Sequence, residues 1–276
     1  MDIIEIIKEG FVFPSTDLTK LAIYIALSIV AVVLIFLGFA VMGLGIIDNA
    51  LFTVLGIIVI IFGIIVGFIL SGYLVSIVKS GIDQTDSAPE FNWKGNLITG
   101  IKYLVMCIVY YIIPAIIVLI VGWATNLFGM SYDMMTKMII ASMNAPANTT
   151  VLITDLFPQS AFIQLGNAMI ITGIVAVVLF IFFALLQTIA QARLANTDNL
   201  GYSLNIAEAF KDIGRIGWGK VIAVVILIII VIIVINAIIN VLNAYVPGIS
   251  ILSIVVTPYL VFFSSRAIGL LYSDIA

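Results

Sequence analysis

Residues 224–235 read VVILIIIVIIVI, and how this run folds decides the class of the whole chain. Twelve β-branched and leucine residues could in principle form strands. A membrane barrel, however, is written in segments of about ten residues that alternate apolar and polar side chains. This run does not alternate. It lies inside Val221–Ser265, which holds no charged residue at all. A segment this apolar needs lipid around it, and in lipid a helix satisfies its own backbone hydrogen bonds. The prediction is helix, and the rest of the chain follows from it.

Four more charge-free runs have the length that a membrane crossing needs, about 20 residues. They are Leu21–Ile47, Asn49–Val78, Tyr103–Tyr132 and Leu156–Ala192. Val221–Ser265 is long enough for two crossings, and Asn243 to Gly248, with a proline and a glycine, supplies the turn. Six spans result, over roughly 20–46, 50–78, 99–124, 164–193, 218–244 and 249–272. The reading is an all-α polytopic membrane helix bundle, one integral membrane domain over 1–276, arranged as three hairpins with short interfacial amphipathic helices. Residues 125–160 form an external loop. The first apolar run is too long for a signal-peptide core, so the first span is expected to stay as an anchor.

Composition agrees. Of 276 residues, 64% are hydrophobic, only 9% are charged and none is histidine. Mean hydropathy is +1.34. A soluble domain carries about a quarter of its residues charged. The net charge of −3 and the lack of a basic stripe argue against nucleic acid as a partner. Lys8, Lys20, Lys79, Lys94, Lys102, Arg193, Lys211, Arg215, Lys220 and Arg266 all fall on one side of the predicted bundle, with Lys137 alone on the other. By the positive-inside rule both termini are cytoplasmic, in a multi-pass protein of the cell membrane.

Polar residues gather where spans begin. EGFVFPSTDLTKLAIYIAL starts at Glu9, EFNWKGNLITGIKYLVMCI at Glu90 and EAFKDIGRIGWGKVIAVVI at Glu208. Each has a glutamate, a nearby phenylalanine, a lysine about ten residues on, and then a span. Lys79, Arg193 and Arg266 end the even-numbered spans. The lead-in segments are amphipathic. Ile206, Phe210 and Ile213 share one helical face, with Glu208, Lys211, Asp212 and Arg215 on the other, and Asn205 followed by Glu208 marks a helix start. Ile3, Ile4 and Ile7 oppose Asp2, Glu5 and Lys8. Such helices lie in the interface plane, and Trp93 and Trp218 suit the headgroup level. Anchoring is the plain reading. The sharper one is a cytoplasmic interface site that brings together Glu90, Glu208, Arg193 and Arg266.

Several of these stretches resemble a known family. GYLVSIVKSG at 72–81, APEFNWKGNLITGIKYLV at 88–105, AQARLANTDNLGYSLNIAEAFKDIGRIGWGKV at 190–221 and FFSSRAIGLLY at 262–272 are similar to an uncharacterised prokaryotic membrane family, common in archaea, catalogued as domain of unknown function 4013. Its Gly-Tyr is Gly72-Tyr73 here, its basic residue Lys79, and its Pro-Glu-aromatic turn Pro89-Glu90-Phe91. Asn92 and Lys94 stand where the family has acidic residues. The resemblance implies a six-span fold and no known activity.

Chemistry is sparse. No span carries a charge at its middle, which counts against a proton-coupled pump. Amides do enter the apolar runs. Asn236, Asn240 and Asn243 share one face of the fifth span, and Gln187 and Gln191 are four apart on the fourth. They read as interhelical glue, or as the polar lining of a path for a solute or headgroup. Pro114 and Pro258 interrupt the third and sixth spans, and Gly56, Gly63 and Gly67 allow close helix approach within the bundle or between copies. Met130, Met134 and Met138 share a face in the external loop; the plain reading is a segment packed on the outer surface, the alternative a soft metal site. Asn148 heads a glycosylation sequon on the same side. Cys107 is the sole cysteine and reads as a small buried hydrophobe. No cofactor motif and no catalytic constellation stands out. The expected function is a non-enzymatic structural or subunit role, with the lipid bilayer and a second copy or a membrane-protein partner around it. The alternatives are a carrier or channel for a neutral solute or lipid, and a lipid-modifying enzyme.

Overall fold

The structure, a computed structural model, describes residues 1–47, 50–146, 152–246 and 248–276. It is helical throughout, with no strand among the described residues. The helices are α1 (Ile3–Val12), α2 (Leu18–Ile47), α3 (Ala50–Ile82), α4 (Trp93–Ala124), α5 (Leu127–Asn144), α6 (Ile153–Leu156), α7 (Gln159–Thr197), α8 (Leu200–Ser203), α9 (Ile206–Ile216), α10 (Trp218–Tyr245) and α11 (Ser253–Tyr272). Six of them are long and apolar enough to cross a membrane: α2, α3, α4, α7, α10 and α11. α4 begins six residues before the predicted start of the third span, because Asn92 Oδ1 caps it by accepting from Gly95 N at 3.0 Å, so the polar first turns stay helical. Gly217, at φ 104°, separates α9 from α10, a conformation that a side chain would disfavour.

The chain divides into two compact units, one of Met1–Ile108 with Leu185–Ala276, the other Val109–Ala184. In the first unit α2 and α3 pack along their lengths. Gly56 lies against Gly38 and Met42, and Gly63 against Ala31 and Ile35, so the close approach is used inside the chain; Gly67 meets nothing within 4 Å. The start of α4 crosses α3 more tightly still. A Cβ on Gly72 would sit 1.8 Å from the Asn96 carbonyl oxygen, and one on Gly100 1.9 Å from that of Phe68. Only glycine allows backbones so near.

An aromatic core fills the space beside this crossing. Tyr73, fully buried, stacks on Phe91 with ring centres 3.8 Å apart and donates its hydroxyl to the Pro89 carbonyl at 3.0 Å. Tyr24 meets Phe262 edge to face at 5.0 Å. The Gly-Tyr and Pro-Glu-aromatic stretches are thus one structural unit: glycine admits α4, and tyrosine holds the turn that leads into it.

The second unit has fewer fixed points. Thr125 and Thr172 hydroxyls lie 3.3 Å apart, and Tyr111 stacks on Phe180 with centres at 6.2 Å. The segment between α4 and α7, predicted as an external loop, is mostly helix α5. Met134 turns inward there, whereas Met135, Met138 and Met143 are exposed. Asn148 lies outside the described residues.

Candidate functional site

The charged residues of the first unit form two recurring sets of ion pairs. Lys20, Lys102 and Lys220 stand in the opening turns of α2, α4 and α10. Each pairs with a carboxylate just beyond the next span: Lys20 with Glu90, Lys102 with Asp198 at 2.8 Å, and Lys220 with Asp274. In the second set, the cation that ends each even-numbered span pairs with a carboxylate, one turn further along the same helix end for Lys79 and in a lead-in segment for the two arginines. Lys79 meets Asp83 at 3.0 Å, Arg193 meets Asp212 of α9, and Arg266 meets Glu9 of α1 at 2.6 Å. The last pair joins the final span to the first helix. Asp274 also takes the N-terminal ammonium at 3.1 Å, so both ends of the chain lie on the same side.

Two of these cations, Arg193 and Arg266, are buried; Asp212 is buried with the first, whereas Glu9, which holds the second, is 39% exposed. Arg266 is 1% exposed. Its guanidinium donates to Glu9, to the Ser80 carbonyl at 2.6 Å and to the Thr85 carbonyl at 2.8 Å, and it lies 4.6 Å from the centre of the Phe13 ring. Asp212, also 1% exposed, accepts from Arg193, from Arg215 at 2.8 Å and from the Tyr272 hydroxyl at 3.0 Å. Arg193 Nε donates to the Tyr202 carbonyl at 3.1 Å. A buried charge left unpaired would be severely penalised, and here every charge has a counter-charge plus hydrogen bonds.

This geometry changes the reading of the lead-in helices. The spacing puts Asp212 on a solvated polar face; instead it turns inward beside Ala209 and Ile213, while Phe210 is exposed and meets Trp218 edge to face at 5.0 Å. The Arg193 partner pulls the carboxylate in, because pairing a buried cation outweighs hydration of one acid. α1 likewise buries Ile6 and Gly10 and exposes Ile4. The predicted start of α9 is as expected, Asn205 Oδ1 accepting from Glu208 N at 3.1 Å.

Glu90, Glu208, Arg193 and Arg266 therefore do not meet one another through their own ion pairs. Glu90 is tied to Lys20, Glu208 to Lys211 at 2.7 Å, and the two arginines to separate acids. Lys211, by its hydrogen bond and charge, holds the Glu208 carboxyl below the usual range. The five amides also part. Gln187 and Gln191 are buried, and Gln187 donates to the Tyr103 hydroxyl at 3.3 Å. Asn236 and Asn240 are exposed on this chain; Asn236 returns its amide to the Ile232 carbonyl at 2.8 Å in its own helix. Asn243 accepts from Ser250 N at 3.3 Å across the turn before α11. Among the described residues, no cluster of three or more His, Cys, Asp or Glu is placed to hold a metal ion.

The partners that sequence reasoning passed over are Asp198, Asp212 and Asp274. Their signal was present: an acid follows each even-numbered span, and a lysine opens each odd one. The profile of a family described as "Protein of unknown function (DUF4013)" matches residues 54–244. The chain belongs to this family. The match takes in α3 to α10 nearly whole, including the Gly72-Tyr73 crossing, the Pro89 to Phe91 turn and the Arg193–Asp212 pair. No curated protein and no solved structure matches the chain.

Proposed function

We propose that this DUF4013 member is a non-enzymatic integral protein of the cell membrane, with both termini in the cytoplasm and a structural or subunit role. The observation that carries the reading is the closure of its charges on one another. Lys20, Lys102, Arg193, Lys220 and Arg266, cations that an interfacial enzyme would aim at a substrate, are each held by a carboxylate in pairs that fasten spans and lead-in segments together. A carrier would need its amides along one path. Gln187 and Gln191 are inside and Asn236 and Asn240 outside, which favours a packing role. The ten-to-one split of basic residues supports the orientation. A subunit role also calls for a neighbour in the bilayer, either a second copy or another membrane protein.

The test is reconstitution of the full chain in liposomes. Uptake of glycerol and urea, and exchange of a labelled lipid between leaflets, should equal those of protein-free vesicles. Flux above that background, abolished by Gln187→Leu, would overturn the reading in favour of a carrier. Orientation is read separately, from an impermeant thiol reagent on intact cells. A cysteine placed at Ser142 should be labelled and one at Ser273 should not.

A further inference from the structure

The ends of α3 and α7, the start of α4 and the segment between α3 and α4 enclose a cavity of about 330 Å³, all within the first unit. That is at the lower end of the ~300–1,000 Å³ of small-ligand sites. Its polar lining includes Ser76, Lys79, Asp83, Thr99 and Asp198, beside Ser80 and Thr85. The lining has one spare donor and two weakly held ones. The Lys79 ammonium carries three protons and uses two, on Asp83 and on Asn196 Oδ1 at 3.2 Å. Ser76 and Thr99 make only long hydrogen bonds, at 3.3 Å and 3.5 Å. Behind Ser76 lies Asn96, 3% exposed, whose Nδ2 has no partner. Turned over, that amide gives Nδ2 to the Ser76 hydroxyl, whose proton then rests on the Gly72 carbonyl at 3.3 Å, a long bond that a nearer acceptor in the cavity replaces. Acceptors are present too. Asp83 uses Oδ1 on Lys79, and Asp198 uses Oδ1 on Lys102 and Thr99, which leaves each carboxylate its second oxygen.

Donors grouped around Lys79 and carboxylates at Asp83 and Asp198 match a small molecule with an anion at one end and an ammonium at the other. We infer that this cavity binds a phosphate–ammonium zwitterion, the phosphate on Lys79, Ser76 and Thr99 and the ammonium on Asp83 and Asp198. The cavity lies at the charged ends of α3 and α7, the level at which a crossing helix meets lipid headgroups. A phosphoethanolamine lipid headgroup and the same group free in water are the two sources of that chemistry. A second cavity, of about 510 Å³, follows the same plan with Arg266, Glu9 and Thr16. There the cation is already held by Glu9 and two carbonyls, and it has less to offer an incoming anion.

Native mass spectrometry of the full chain in detergent decides this, with phosphatidylethanolamine, phosphatidylglycerol of the same chains, and phosphoethanolamine as probes. Phosphatidylethanolamine should bind about tenfold more tightly than phosphatidylglycerol, which lacks the ammonium. Lys79→Gln should weaken it by about tenfold and Thr99→Val by about threefold, while Thr16→Val in the second cavity leaves it unchanged. Asp83→Asn should erase the preference for the ethanolamine headgroup. If Lys79→Gln fails to fold, Thr99→Val and Asp83→Asn decide between them. Competition by phosphoethanolamine supports the site and assigns a soluble source; lipid retained against it supports the site and assigns the bilayer. Equal binding of the two lipids, or phosphatidylethanolamine binding untouched by Thr99→Val and Asp83→Asn, overturns the inference.

Discussion

The two compact units are held by opposite means. The unit of Met1–Ile108 and Leu185–Ala276 contains every ion pair described above, two buried cations each held by a carboxylate, and an aromatic core. The unit Val109–Ala184 has, among its described residues, a threonine pair, ring contacts of Tyr111 with Phe180, Phe157 with Phe162 and Phe182 with Phe183, and Lys137 placed 5.6 Å from the Phe157 ring centre. Its α7 residues Ile170, Ile174, Val178 and Ile181 are each about 60% exposed, an apolar surface suited to lipid or to another apolar helix. The first unit carries its own lateral bonding, and the second relies on its helices and the bilayer. Specific polar contacts can fix one geometry where apolar helix faces in hydrocarbon have little preference.

The largest expected effect tests the buried charges. Asp212→Asn strands Arg193 without a counter-ion and should cost about 3–5 kcal/mol in an unfolding titration in detergent. Gly100→Val drives a Cβ against the Phe68 carbonyl and should cost about 3 kcal/mol in the same assay. In the second unit, Thr172→Val removes one 3.3 Å hydrogen bond and should cost about 1 kcal/mol. A loss as large as that of Asp212→Asn would break the contrast between the units.

Lys20→Gln tests an exposed fastening. Its partner Glu90 is 89% exposed, and the cost should be about 0–1 kcal/mol. The smallest effect is that of pH on the meeting of the termini. Burial raises the Asp274 carboxyl, but hydrogen bonds and charge from Lys220 and the N-terminal ammonium outweigh it, so its pKa lies below the ordinary 3.8. A depressed carboxyl lends stability above its unfolded pKa and loses it as pH falls through the folded value. Hydrogen exchange at α1 should therefore be steady from about pH 7 to 5 and rise only below about pH 4. Exchange that climbs near neutrality would show that Asp274 does not hold the chain's ends.

How much of this was legible depends on the range of the interaction. The six spans could be read because hydropathy is local and lipid imposes one solution on an apolar run. The amides show where locality ends. Asn236 and Gln187 look alike in sequence, each in an apolar run with a second amide four residues away. One bonds its own helix at the surface; the other reaches Tyr103, 84 residues earlier. Asp212 was placed on the wrong face of α9 for the same reason, since its partner Arg193 lies on another helix.

The sequence by itself determined the solvent, the helical class, the number of crossings and the places where charge could collect. Each follows from the cost of exposing a backbone group or a charge to hydrocarbon, which a residue meets whatever its neighbours are. The tertiary structure alone decided which charge closes on which, which amide is inside, and where a polar cavity is left between span ends. Those depend on segments brought together over as many as 273 residues, from Met1 to Asp274, and on the glycines that let helices come close.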